Sequence, residues 1–146
     1  MAKTMRFGLG RRLLNGVMRF LLQRGKGPPF LFLLSVRGRK TGLIRSTPVA
    51  VMELDGQRWL VAPYGRVDWV RNARAAGEVT VSRGARSESL QPTEVGPAEA
   101  VPVLRKCLKD FRVVRPYFDV TADSSDEAIA AEAARHPVFR LDPPFD

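Results

Sequence analysis

The chain has 146 residues, 45% of them hydrophobic, and a formal net charge of +9. That length suits one compact domain burying about two-thirds of its unfolded surface, so no second core is expected. A single cysteine, Cys107, and a single histidine, His136, leave no material for a disulfide framework or a metal centre, and no metal is expected.

In chain order, Leu9, Leu13, Leu14, Val17, Phe20 and Leu21 recur at helical spacing, with Arg11, Arg12, Arg19 and Arg24 on the remaining faces. This predicts a basic-rimmed amphipathic helix stopped by Gly25, Gly27 and Pro28-Pro29. It is expected to pack on the body of the protein. Over residues 6–24 the same pattern could instead lie on an anionic membrane surface. Arginines interrupt the stretch, so it does not read as a signal peptide, and no apolar run is long enough to span a bilayer. A cytoplasmic protein is expected, with membrane association as the alternative. Residues 1–29 form this helical segment and 30–146 the main domain.

Strand-like segments follow at Phe30–Val36, Ile44–Leu54 and Arg58–Pro63, joined by turns at Arg37–Gly42 and Asp55-Gly56. A short helix is predicted over Asp68–Ala76, stopped by Gly77, then strands at Val79–Arg83 and Ser87–Val95. Pro97 opens a helix to Asp110 with Ala98, Val101, Leu104, Cys107 and Leu108 inward. A loop at Arg115–Phe118, a helix over Ser124–Arg135 and a strand at Pro137–Leu141 complete the pattern. Six short strands with tight turns and a few helices predict a mainly β, α+β fold: an antiparallel barrel with helices outside.

Charge is concentrated where chemistry is expected. Eleven Lys or Arg residues precede the first acidic residue, Glu53, while the remainder carries 13 basic and 15 acidic residues. Within that basic third, Arg39, Lys40 and Arg45 flank the turn Gly38–Gly42. Arg can fork onto phosphate, Lys adds a point charge, and the turn's N–H groups with Thr41 or Ser46 add donors. On spacing alone, a solvated basic hairpin is the favoured reading over a phosphate seat. Arg66, Trp69, Arg71 and Asn72 form a second cluster at a helix start, where Trp69 is either a wall for a planar ring or a core residue. No nucleophile elbow, P-loop or dinucleotide fingerprint occurs, so any redox chemistry needs a bound organic coenzyme. Nucleic acid is not expected as a partner, because the aromatics are not interleaved with basic residues on the strands.

The stretches Gly38-Arg39-Lys40-Thr41-Gly42, Arg45-Ser46-Thr47-Pro48-Val49, Trp59–Gly65, Asp68-Trp69-Val70-Arg71-Asn72 and Arg135–Leu141 resemble, in order, the deazaflavin-dependent nitroreductase family. Members have a six-stranded split β-barrel, FMN-binding-like, related to pyridoxamine-phosphate oxidases. The resemblance implies coenzyme F420, an 8-hydroxy-5-deazaflavin with a phosphate and a polyglutamate tail, in preference to FMN. It also implies hydride transfer to a small-molecule acceptor such as a quinone, enone or nitroaromatic, in a monomer or homodimer. Carried over by motif, Arg39, Lys40, Thr41 and Arg45 would hold the phosphate and tail. Ser46, Thr47, Pro48, Val49 and Ala50, with Val61, Ala62, Pro63 and Tyr64, would line the ring and its ribityl chain, and Asp68, Trp69, Val70, Arg71 and Asn72 would close the phosphate side. Tyr117 would face ring or substrate, with Tyr117, Tyr64 or Ser46 as donor to a developing oxyanion. The chain departs from the family in keeping only Tyr117 in a segment usually rich in tyrosine, and in a shortened Gly65–Trp69 loop.

Overall fold

The computed structural model of the chain describes residues 9–65 and 67–143, with side chains from residue 13 onward. Arg66 and the first eight residues, on which parts of the expected basic cluster and amphipathic helix fall, lie outside the described residues. In order come α1 (Leu9–Gln23), β1 (Leu31–Arg37), β2 (Ile44–Leu54), β3 (Gln57–Val61), α2 (Asp68–Ala76), β4 (Val79–Arg83), β5 (Arg86–Glu94), α3 (Pro97–Asp110), a 3-10 helix (Arg112–Tyr117), α4 (Asp126–Glu132) and β6 (Val138–Asp142). The strands close as β1-β2-β3-β6-β5-β4, every neighbouring pair antiparallel. This is the expected six-stranded barrel.

Two apolar clusters stabilise it. One fills the barrel: Leu34, Val49, Leu60, Val81 and Phe139 are among the side chains pointing inward, and Val70 and Ala73 of α2 join them as a plug. The other lies outside β3 and β6, where Trp59, Val61 and Val138 are covered by Val103, Leu104 and Cys107 of α3 and by Ile129 of α4. Strand alternation thus sends one set of residues inward and the next onto the helical layer. Within that layer, burial pushes the Cys107 thiol up to about 12, so it stays protonated and behaves as a small apolar group.

Boundaries move where local bonding intervenes. The expected third strand ends at Val61 instead of Pro63, since the Ala62 N–H bonds Pro137 O and the Ala62 carbonyl accepts the Gly65 N–H at 3.1 Å, closing a turn around Pro63 and Tyr64. The fourth helix starts after Ser125, whose hydroxyl accepts the Ala128 N–H at 3.2 Å, and the chain tightens after Glu132 before Pro137. The segment expected as a loop at Arg115–Phe118 is partly wound into the 3-10 helix.

The amphipathic helix departs further from expectation. Leu22 is fully buried, yet Leu13, Val17 and Phe20 remain 70%, 51% and 53% exposed. The packed edge is set by the helix exit. The Gly84 N–H donates to Leu22 O at 2.8 Å, and a Cβ on Gly84 would meet Gly25 Cα at 3.1 Å. Arg83 also donates to the carbonyls of Gly27, Pro28 and Leu31. These bonds fix the rotation of α1 at its C-terminal end and turn most of its apolar stripe outward.

His136 sits beneath β3, where its Nδ1–H donates to Ala62 O at 3.1 Å and its ring stacks on Phe118 at 3.9 Å. Burial holds its pKa below the ordinary 6.5, against the opposing pull of the Ala62 carbonyl and Glu132. The unfolded chain therefore takes up this proton first, and the stability is present above pH ~6.5 and lost as pH falls through the lower folded value. The melting temperature should fall between pH 7.5 and 5, and H136Q should flatten that slope. An identical slope in both proteins would exclude His136 as its source.

Candidate functional site

The β1–β2 hairpin is built by its own backbone. The Gly38 N–H bonds Leu43 O at 2.7 Å, the Gly42 N–H bonds Gly38 O at 2.9 Å, and Gly42 takes a left-handed φ of 74°. A Cβ on Gly38 would lie 3.0 Å from Thr41 Oγ1 and 3.1 Å from Leu43 O. Thr41 Oγ1 accepts the Leu43 N–H, which leaves its own O–H able to donate outward.

Helix α2 locks this hairpin from across the barrel mouth. Asn72, only 5% exposed, accepts at Oδ1 both the Arg39 N–H at 3.1 Å and Arg39 Nη1 at 2.8 Å. Only an amide oxygen can accept from two N–H donors, so the amide orientation is fixed and Nδ2 is left without a partner among the described residues. Arg39 is also 3.7 Å from Asp68, and Arg71 is 3.9 Å from the same carboxylate. Among the described residues Lys40 and Arg45 have no acidic partner.

These groups surround a cavity of about 480 Å³ lined by Arg39, Lys40, Thr41, Arg45, Asn72 and Trp69, among others. Ser46 and Thr47 of β2 continue its wall, with the Ser46 hydroxyl 2.8 Å from that of Ser35. Further along β2, Pro48, Val49 and Ala50 pass into a second, apolar cavity of about 330 Å³ that also includes Val61, Pro63 and Tyr64. Trp69 borders both, its ring centroid 5.9 Å from that of Phe139 in the barrel core. Trp69 therefore both borders the cavities and packs against the barrel core.

An anion seat and an apolar slot on one strand suit a ligand with a phosphate at one end and a planar ring at the other. The donor set fits: cations and hydroxyls for phosphate, an oriented amide N–H beside them, and an uncharged slot for the ring. Of the residues expected here, Ala62, Val70, Arg71 and Tyr117 do not line either cavity. Ala62 and Val70 are barrel core, and Arg71 faces solvent. Tyr117 stands behind Tyr64, the two rings meeting edge-on at 5.0 Å. Conversely, Leu14 and Met18 of α1, with Phe30 and Phe111, wall the apolar cavity and were not foreseen as site residues. Their signal was the amphipathic stripe of α1, which the sequence pattern could not aim. Lys40→Ala and Arg45→Ala should each weaken coenzyme binding about tenfold without lowering the melting temperature, as exposed cations bonded to no other described residue. Fluorescence titration and thermal melts check this, and wild-type affinity in both variants would misplace the seat.

No curated protein sequence matches the chain. Solved structures share its fold at low identity. A protein solved as a domain-swapped dimer has a TM-score of 0.57 at 16% identity over 91% of this chain and 99% of its own. An F420-H2-dependent reductase has a TM-score of 0.53 at 18% identity, over 78% and 95% of the two chains. A protein of the pyridoxamine 5′-phosphate oxidase kind from Listeria innocua has a TM-score of 0.55 at 9% identity, over 90% and 94%. The family model for F420H(2)-dependent quinone reductase matches residues 12–131, a span that contains the basic hairpin and every residue lining the two cavities. The chain therefore belongs to the F420H2-dependent quinone reductase family and is an F420H2-dependent reductase whose coenzyme is F420.

Proposed function

We propose that the protein passes a hydride from reduced F420 to a quinone-type acceptor held in the apolar cavity beside Tyr64. The observation that carries this reading is the pairing along β2 of a basic seat with an apolar slot, joined at Trp69. When bound, the coenzyme supplies the hydride. Arg39, Lys40 and Arg45 neutralise its phosphate, the Asn72 Nδ2–H and the Thr41 hydroxyl add hydrogen bonds, and Trp69 fixes the edge of the slot. The walls formed by Phe30, Phe111, Val113 and Val114 limit water around the acceptor.

Hydride delivery to an acceptor carbonyl leaves negative charge on its oxygen, which a hydroxyl in the cavity can stabilise and protonate. Tyr64 lines the cavity and is the first candidate for that role, Ser46 lies further along β2 in the anion seat, and Tyr117 acts through its contact with the Tyr64 ring. Enones and nitroaromatics present the same developing oxyanion and remain acceptors to compare. The test is oxidation of reduced F420, followed by loss of its absorbance, with a short-chain quinone, an enone and a nitroaromatic side by side. Quinone turnover should be fastest and should fall at least about tenfold in Tyr64→Phe with coenzyme binding retained. No quinone-dependent oxidation by a protein that binds the coenzyme would overturn the acceptor assignment.

Two assembly readings accompany this function. The outward stripe of α1 with Arg19 and Arg24 beside it supports a peripheral contact with anionic membrane, checked by co-sedimentation with anionic and neutral vesicles. Among the described residues no helix is long and apolar enough to cross a membrane. A homodimer is proposed by extension from the neighbour solved as a domain-swapped dimer, and light scattering on the purified protein checks it.

A further inference from the structure

We infer, resting on the role proposed for Tyr64 above, that His136 is a positioning residue for the reaction: it clamps the turn carrying Tyr64 to the 3-10 helix carrying Tyr117 and so aims Tyr64 into the acceptor cavity. The turn hangs on one oxygen. Ala62 O accepts the Gly65 N–H at 3.1 Å, which closes the turn around Pro63 and Tyr64, and the same oxygen accepts the His136 Nδ1–H at 3.1 Å. Pro63 and Tyr64 both line the apolar cavity. On its flat face the imidazole stacks on Phe118 at 3.9 Å, next in sequence to Tyr117, whose backbone is a further hydrogen-bond partner of the ring. The Tyr64 and Tyr117 rings then meet edge-on at 5.0 Å.

His136 is itself anchored. Its backbone N–H donates to Glu132 O at 2.9 Å, the neighbouring Pro137 O accepts the Ala62 N–H at 2.9 Å, and the residue is only 4% exposed. Glu132, equally buried, accepts the Asp119 N–H at 2.7 Å and pairs with Arg135, which also reaches Asp119 at 2.8 Å. The chain beyond Phe118 is thereby tied to α4. Against this frame the turn is short, with Gly65 at a left-handed φ of 93°, so the bond at Ala62 O decides where the residue two positions on projects. A proton donor must stand within hydrogen-bond reach of the developing oxyanion, and a displacement of about 1 Å costs on the order of a hundredfold in rate. His136 lines neither the anion seat nor the apolar cavity, so its effect on rate runs through Tyr64.

Two variants separate positioning from packing. His136→Phe keeps a flat ring against Phe118 and removes the donor, whereas His136→Asn places an amide N–H where Nδ1 stands and gives up the stack. With reduced F420 and a short-chain quinone, at a temperature where all are folded, kcat should fall about fivefold in H136F with KM and coenzyme affinity unchanged. In H136N it should stay within about twofold of wild type, although the lost volume gives H136N the lower melting temperature. H136F combined with Tyr64→Phe should be no slower than Tyr64→Phe alone, because the first acts through the second. Tyr64 and Tyr117 are the chain's two tyrosines, so nuclear Overhauser contacts between their rings can be read in a tyrosine-labelled, coenzyme-free sample. These contacts should persist in H136N and weaken in H136F. Rates that follow melting temperature across the variants, losses that multiply in the double variant, or ring contacts of full strength in H136F would overturn the assignment. If H136F does not fold, H136N decides: a near-wild-type rate despite the lower melting temperature upholds the clamp, and a rate that falls with stability removes it. A Tyr64→Phe enzyme as fast as wild type fails the role of Tyr64 itself, a result distinct from any of these.

Discussion

Asn72→Asp should raise the Kd for F420 by roughly a hundredfold while leaving the protein as stable as the wild type. The side chain is 5% exposed and does two things at once: Oδ1 accepts two N–H groups of Arg39, and Nδ2 is left to donate at the edge of the anion seat. An aspartate keeps the acceptor and adds charge opposite Arg39, so the hairpin remains tied to α2. It also replaces a donor by a second carboxylate oxygen facing the phosphate. Losing a hydrogen bond to a charged acceptor costs about 1.5–3 kcal/mol, and repulsion between like charges adds to it, which together give about 3 kcal/mol or the hundredfold stated. Asn72→Ala makes a useful contrast, because it also frees Arg39 and should lower the melting temperature. Calorimetry or fluorescence titration reads the affinity, and an aspartate variant that binds as tightly as wild type would show that Nδ2 never meets the anion.

The residues behind that prediction also mark how far the sequence could be read. The hairpin Gly38–Gly42 and helix Asp68–Ala76 were each recognisable, since turn glycines and the Gly77 stop act over a few residues. Asp55-Gly56 was recognisable for the same reason, and both residues do adopt positive φ, at 55° and 75°. What local pattern could not supply is the bond between Arg39 and Asn72, 33 residues apart, which exists only because β1 and α2 meet at the barrel mouth. Nor could it supply the rotation of α1. The periodicity that identified the helix says which residues share a face, whereas the face that packs is chosen by the Gly25–Gly84 approach and the Arg83 bonds at its exit. Tyr117 shows the same limit: the resemblance has it face ring or substrate, but its edge-on contact with the Tyr64 ring depends on how the 3-10 helix Arg112–Tyr117 packs, which no local pattern supplies.

Phe139→Ala should cost about 3–5 kcal/mol of stability and should also loosen the coenzyme site from the inside. Phe139 is 1% exposed at the centre of the barrel cluster, opposite Leu60 on β3 and Glu94 on β5. Truncation leaves a void bounded by residues of several strands that cannot all move inward, because each strand is held on both sides by its ladder. A fall of roughly 10 °C or more in melting temperature follows. The same ring supports Trp69, which borders both the anion seat and the apolar slot. With that support gone, the indole gains freedom toward the void, and coenzyme affinity should drop even at temperatures where the variant remains folded. Phe139→Leu keeps most of the volume and separates the two effects: its stability loss should stay near 1 kcal/mol, with binding close to wild type. A folded Phe139→Ala protein with unaltered affinity would mean that Trp69 is held by its own helix rather than by the barrel core. In that case the seat would depend on α2 alone, through the Asn72–Arg39 bonds.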